Sequence, residues 1–345
     1  MTEFSRRSML IGTALAGLAA SMPLRGLSAQ GALTKFRLIN WGPVTADFGE
    51  MHIGKGENIF QSAGIDLEVV SAQGAGDALR QLMAGNGHAA MLTPEPLFFG
   101  IDQGAQVKAI YNFYPRGGLF EVATLKKNGI SKISDLKGKK VGVLGMASTT
   151  RYTLDVMLRA HGLTEKDVQL IAVGLDFTNP LVQGRIDAVS LGNNFIWDMK
   201  NRQLPAELRD ELVVIDKITN YISFPVIPMV VTNDQAAKDK DLYARFIGAM
   251  NKSRDKLFEN PQRAADLATQ FAIDGKDSER NLAQIKLKME VSVDPETGKP
   301  GHGTYSEKQL DQVQKYADYF QAEGTVKKKL DIRSFYTNDI AKLAK

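Results

Sequence analysis

Ser148, Thr149, Thr150 and Arg151 are consecutive, and they offer three hydroxyls, a run of backbone N–H groups and one guanidinium to a small anion. Val141, Val143 and Leu144 before them suit a short buried strand, and Gly145 allows a sharp turn. Leu154, Met157 and Leu158 after them give a helix one apolar face, and Gly162 stops it. Ser148 is the expected N-cap. A helix opening from a strand end attracts oxyanions, because its free N–H groups and the positive end of its dipole point the same way. Arg151 in the first turn opposes that dipole and asks for a partner. A ligand carboxylate or sulfonate is one; a surface ladder of Arg151, Asp155 and Arg159 at i, i+4 spacing is the other. The hydroxyls serve equally well as plain caps.

Further polar and aromatic residues follow other short apolar runs. Trp41 and Gly42 lie in a turn-rich loop, 41–47, where Trp41 is either an aromatic wall for a ligand or a core residue. Thr93 and Glu95 end another run. A carboxylate at Glu95 disfavours an anion unless Arg151 or a ligand amine neutralises it; the alternative is a residue on the rim. Asn193 and Asn194, with Trp197 nearby, follow the run 186–189 and can read polar ligand edges, although asparagine is also a good turn former. The histidines His52, His88, His161 and His302 make no pair at helical spacing, so no metal site is expected. No nucleophile–base arrangement is visible. The expectation is a ligand site without catalytic residues or a cofactor.

The elements that position these residues fall into two similar units. Phe36–Asn40, a helix over 48–62, Asp66–Ser71, a glycine loop with a short helix, His88–Thr93 and Val107–Phe113 form the first. Strand, small-residue loop, helix, strand Val168–Val173, loop and short helix recur from Lys140 to Trp197. Asp167-Val168-Gln169-Leu170 mirrors Asp66-Leu67-Glu68-Val69. A plan that occurs only twice is a duplicated α/β unit, not a solenoid. Tyr114–Gly118 and Ser223–Pro228, both marked by proline, bracket the second unit, and the strand Met229–Thr232 rejoins the first. This gives domain I as 30–115 and 225–345 and domain II as 116–224, a double crossing suited to hinged closure. Helices are expected over 241–259, from Asn260-Pro261, over 277–289, 306–323 and 331–343. The fold class is α/β, two hinged domains, each a mixed sheet flanked by helices. Ligands of open α/β sheets sit beyond the carboxyl ends of the strands, so the loops 41–47, 72–76, 93–96, 145–150, 174–178 and 192–195 line one cleft if the units face each other.

The first 29 residues read as an export signal. Adjacent Arg6 and Arg7 precede an apolar run, Met9–Ala20, too short to span a bilayer, and Leu27-Ser28-Ala29 offers a cleavage site after Ala29. The pattern resembles a twin-arginine signal. The chain has no cysteine, which excludes disulfides, thiolate metal sites and a lipid-attachment cysteine. Part of the net charge of +4 belongs to that leader. The rest is nearly balanced and leaves no nucleic-acid footprint.

The ordered set of His52–Phe60, then Ala63–Val70, then Ile133–Val143, then Asn260-Pro261 before a helix resembles the solute-binding proteins of ABC importers. The branch is the one that includes sulfonate, taurine, nitrate and thiamine-precursor binders. The resemblance spans essentially all of the chain after the leader. It implies the periplasmic binding protein fold, a monomer free in the periplasm, a small ligand in the interdomain cleft and an ABC permease as partner. A small organic anion, a sulfonate or carboxylate, is the first expectation for the ligand, with Trp41 pointing to an aromatic one. A pyrimidine precursor of thiamine is the alternative, with Glu95 and Asn194 reading ring nitrogens. The same branch contains an enzyme that builds that pyrimidine with a cysteine-rich motif, which this chain lacks. A secreted enzyme on the same scaffold is the rival of another class.

Overall fold

The computed structural model describes residues 32–344; the export segment and its cleavage after Ala29 lie outside them. Ten strands follow in chain order: β1 Thr34–Asn40, β2 Ile65–Ser71, β3 Ala89–Met91, β4 Val107–Asn112, β5 Phe120–Leu125, β6 Lys140–Val143, β7 Gln169–Ala172, β8 Ala188–Gly192, β9 Leu212–Lys217 and β10 Pro228–Thr232. They form two five-stranded sheets, ordered β2-β1-β3-β10-β4 and β7-β6-β8-β5-β9. Each sheet has three parallel strands, an antiparallel fourth, and a fifth antiparallel to that one.

The two orders are the same when β6, β7 and β8 are laid on β1, β2 and β3. The duplicated plan read from residues 36–113 and 140–197 is therefore present in the sheets. The odd strand has different origins: β5 enters the second sheet before its parallel unit, whereas β10 returns to the first sheet after the second is complete. Strands β5 and β9 are additions to the sequence reading, and each shifts register once against its partner at Val122/Ala123.

The helices are α1 Gly49–Gly56, α2 Ile59–Ser62, α3 Ala75–Met83, α4 Pro94–Asp102, α5 Thr149–Ala160, α6 Thr178–Val182, α7 Asn193–Asp198, α8 Asn233–Lys238, α9 Lys240–Glu259, α10 Pro261–Phe271, α11 Ser278–Ser292 and α12 Glu307–Ala322. The starts follow the caps: Asn260 accepts from the Arg263 N–H, Asp277 from the Arg280 N–H, and Ser306 forms a capping box with Gln309. Two expectations fail. The single helix over 48–62 is broken at Asn58, whose φ of 55° is left-handed and cannot continue a helix. The last helix over 331–343 is two short 3₁₀ turns, 332–334 and 341–343, because Tyr336 bridges Ala109 as an extra parallel segment beside β4.

Three apolar clusters hold the protein. One lies on one face of the first sheet, with Phe36, Leu38, Phe246 and Met250. One belongs to the second sheet, with Ala123, Leu191 and Met199. The third is continuous across both: Ile39, Leu92 and Phe98 come from the first, Val141, Leu154 and Met157 from the second, and Tyr316 and Phe320 from α12. Each such side chain stabilises the fold by about 1.5–3 kcal/mol when fully buried, so the junction between the sheets is itself a core. In the cluster of the first sheet, packing leaves no slack at Gly303, where φ is +75° and an added Cβ meets the Tyr111 ring at 1.8 Å.

Candidate functional site

The residues that open α5 are knit to the loop behind them. Ser148 has the extended backbone of an N-cap but does not cap with its side chain. Its hydroxyl donates to the Gly145 carbonyl at 2.6 Å and lies 2.7 Å from the Thr150 hydroxyl, which accepts from the Leu144 N–H at 3.0 Å. The expected capping bond is lost because the loop 144–148 folds back and claims the hydroxyl first. Ser190 on β8 donates to the Thr150 carbonyl at 2.8 Å, tying the helix to its sheet. Thr149 is left to face the other lobe, and its hydroxyl donates to Glu95 at 3.1 Å.

Glu95 is the centre of this contact. Pro94 starts α4, so Glu95 sits in the helix's first turn, where the dipole favours an acid. It is wholly buried, which corrects the reading of a rim residue. The Tyr316 hydroxyl donates to its other oxygen at 2.7 Å. Burial pushes the carboxyl above its ordinary value, and hydrogen bonds from Tyr316, its own N–H, Thr93 and Thr149 pull it part of the way back. Thr93, Glu95 and Thr149 are thus brought together as one group, with Ser148 and Thr150 beside it. Tyr316 completes it and was not singled out from sequence, because one tyrosine in the apolar stripe of α12 is indistinguishable there from core.

Arg151 is placed otherwise than either expectation. Its Nε and Nη2 each lie 2.7 Å from the Glu165 carboxylate and its Nη1 donates to the Met146 carbonyl at 2.7 Å. Glu165 belongs to the turn that follows α5 and folds back alongside it. Asp155 is taken by Arg159 at 3.0 Å, so the three-residue ladder does not form. The bidentate bond to Glu165 raises the guanidinium pKa further, and the charge is already answered within its own lobe.

The other candidates hold separate places. Gly42 accepts from Asn40 Nδ2 at 2.8 Å, and Trp41 packs half-buried against the core of the first sheet, so its aromatic face is partly committed. Asn193 and Asn194 open α7 directly after β8. The Asn193 N–H donates to the Leu119 carbonyl at 2.7 Å, and the Asn194 carbonyl accepts from Gln284 on α11 at 3.2 Å. Beside them Arg280 holds Asp198 at 2.9 Å and Asp274 at 2.8 Å. Near Trp41, Asp47 pairs with buried Lys288 at 3.1 Å, and the ammonium stands 4.9 Å from the Tyr114 ring centre. Sequence gave no signal for Lys288 or Asp198, which are single charged positions in amphipathic helices.

Several buried polar atoms at the carboxyl ends of strands find no partner among the described residues: Asn40 Oδ1 after β1, both side-chain polar atoms of Asn112 after β4, the Tyr114 hydroxyl and Asn193 Oδ1 after β8. Leaving such groups unpaired costs about 1–3 kcal/mol each. They stand at the strand ends where sheets of this kind take ligands. Among the described residues no group of three His, Cys, Asp or Glu side chains could hold a metal ion, and no helix is long and apolar enough to cross a membrane.

Residues 46–264 match the family described as NMT1/THI5 like. The chain belongs to that family. A putative thiamine biosynthesis protein of Haemophilus influenzae is 27% identical over 63% of this chain and 64% of its own length. The riboflavin-binding protein RibY of Chloroflexus aurantiacus is 23% identical over 69% and 65%. The chain therefore spans a little under two thirds of these relatives. A 4-amino-5-hydroxymethyl-2-methylpyrimidine phosphate synthase of Schizosaccharomyces pombe is 24% identical over 40% and 41%. Among solved structures, the periplasmic aliphatic sulphonate binding protein SsuA of Escherichia coli superposes with a TM-score of 0.69 at 16% identity, covering 87% of this chain and 91% of SsuA. The architecture of this chain is thus that of the periplasmic binding proteins.

Proposed function

We propose that this protein is the periplasmic solute-binding component of an ABC importer, exported by an N-terminal signal and acting as a monomer without a cofactor. In this reading residues 30–115 with 225–345, and 116–224, are two domains that close by a hinge on a small organic ligand, and the closed form is what the permease engages. It binds without chemical conversion. The fold and the resemblance to SsuA support the transport role.

For the ligand we infer a nitrogen heterocycle of the thiamine-precursor type, ahead of a sulfonate or carboxylate. One observation carries this: the acid at the junction, Glu95, has its pKa raised by burial and is held by hydroxyls, while the cations near the strand ends are already matched. Arg151 has Glu165, Lys288 has Asp47, and Arg280 has Asp198 and Asp274. A free anion finds no unspent positive charge among these groups, whereas a neutral heterocycle needs only hydrogen-bond partners. The unpartnered oxygens of Asn40 and Asn193 suit ligand N–H donors; Asn40 Oδ1 is fixed as the acceptor because its Nδ2 donates to Gly42. The names of the relatives from Haemophilus and Chloroflexus accord with a heterocycle.

The test is a thermal-shift and calorimetric screen of aminopyrimidines, flavins, sulfonates and carboxylates, since a ligand that binds only the folded state raises Tm by mass action. A hit among the heterocycles weakened by Glu95→Ala supports the reading. A sulfonate hit indifferent to that change overturns it. Recovery of a converted compound by mass spectrometry would instead favour the enzymatic reading, to which the synthase among the relatives lends weight.

A further inference from the structure

A pocket of about 210 Å³ lies at the outer corner of the first lobe, lined by Val44, Met51, His52, Lys55, Val69, Ser71, Phe271 and Ile273. Its walls come from the loop after β1, from α1, from the edge strand β2 and from the end of α10. Three features set it apart from a packing defect. First, Ile273 is 69% and Phe271 39% exposed, so large apolar side chains stand at its mouth without cover. Second, Lys55 has no carboxylate within ion-pair distance among the described residues; burial lowers its pKa and distant Asp66 only partly restores it. Third, His52 is 1% exposed and its Nδ1 has no partner among the described residues. The other ring nitrogen, Nε2, lies 3.0 Å from the Thr45 carbonyl. A carbonyl only accepts, so Nε2 carries the proton, and Nδ1 of the neutral ring is an unused acceptor.

His52 and Lys55 are three apart on α1 and so share a face. A cation and an acceptor at that spacing match an acid that bears a hydroxyl close to its carboxylate. The apolar walls match a compact hydrocarbon body. The Phe271 ring lies nearly parallel to the imidazole, 8° off with centres 6.5 Å apart, and is itself 39% exposed.

We propose that this corner is a second small-molecule site, distinct from the group at Glu95, for a compact amphipathic hydroxy acid whose carboxylate pairs with Lys55, whose hydroxyl donates to His52 and whose apolar body lies between Val44, Met51, Phe271 and Ile273. The pocket shares a wall with the loop 41–47. The Val44 carbonyl accepts from the Ile273 N–H at 3.1 Å, the Thr45 carbonyl holds His52, and the Ala46 N–H donates to Asp274 at 2.8 Å. A ligand here bears on the same loop that carries Trp41 and Gly42.

The experiment is calorimetric titration of the full chain with 3-phenyllactate and with 3-phenylpropionate, which lacks the hydroxyl. Saturable binding of phenyllactate is expected, severalfold tighter than phenylpropionate. Lys55→Gln is expected to weaken it on the order of tenfold, the worth of one charge-assisted hydrogen bond. Ile273→Glu, at an exposed position that does not endanger the fold, supplies a competing carboxylate at the mouth and is expected to abolish it. Glu95→Gln is expected to leave it unchanged. No binding, binding indifferent to Lys55→Gln and Ile273→Glu, or binding lost in Glu95→Gln overturns the proposal, and equal affinity for the two acids removes the hydroxyl role of His52.

Discussion

The two lobes meet along two seams built from opposite chemistry. At one, α5 packs on α4 and α12: Tyr152 meets Phe99 and Phe320 edge-to-face at 5.6 Å, and Phe99 meets Phe320 at 5.5 Å. A single acid, Glu95, is sealed beneath. At the other, α7 faces α11 through Arg280, Asp198, Gln284 and Asn194, with Arg202 and Asp277 at the edge. The first seam is held mainly by burial, which is non-directional, with an Arg159–Glu323 ion pair and a Tyr319 hydroxyl donating to Asp155 beside the rings. The second is held by charge and hydrogen bonds, which fix one geometry and weaken when screened.

The comparison breaks most visibly at Arg280. Its guanidinium serves Asp198 and Asp274 at once, and those carboxylates raise its pKa. Arg280→Met leaves both acids without their partner, with Asp198 largely buried. A loss of about 2–3 kcal/mol is expected, read as a fall of several degrees in Tm. A change as small as that of a surface substitution would mean the seam contributes geometry but no stability.

Glu95 sharpens the comparison from the other side. Its folded pKa lies above the ordinary value of 4.5. Between those two values the unfolded chain has released the proton while the folded chain keeps it, so stability falls as pH rises through that window. Glu95→Gln keeps a hydrogen-bonding amide and removes the ionisation. The variant should match the parent near pH 4 and become the more stable of the two as pH rises from 4.5 toward the folded pKa, above which the gap stays constant. Melting curves across pH 4–8 check it; parallel profiles would show that the aromatic seam is wet enough for Glu95 to ionise freely.

How much of this was legible in the sequence follows the same division. The parallel strands of both sheets, with β4 and β10, were, because such strands announce themselves by short apolar runs between turn residues and the doubled plan repeats them in order; β5 and β9 were not. Asn260-Pro261 and Ser306 placed helix starts because caps are local. Most of the failures are non-local. Arg151 and Tyr316 each took partners chosen by tertiary contact, Glu165 beyond the end of α5 and an acid more than two hundred positions away, whereas the Ser148 hydroxyl went to its own turn. The short turns near Tyr336 likewise depend on its bridge to Ala109, whereas the break at Asn58 is the left-handed turn to which asparagine is locally prone. The candidate group at Glu95 was half legible, since strand-end loops pointed to Thr93, Glu95 and Thr149 but nothing in α12 marked the tyrosine between them.

The smallest effect is expected at Arg151, and it decides how the opening residues of α5 are used. If this arginine held a ligand anion, its removal would cost affinity by orders of magnitude. The structure instead gives its charge to Glu165, with both side chains about a quarter exposed. Such pairs stabilise by up to about 1 kcal/mol. Arg151→Ala should therefore lower Tm only slightly and leave the affinity of the cleft ligand, once found in the screen, within about twofold. Added salt should erase most of the stability difference, since the pair is partly solvated. A tenfold loss of affinity in this variant would show that Arg151 leaves Glu165 when ligand arrives, and would return the anionic ligand to first place.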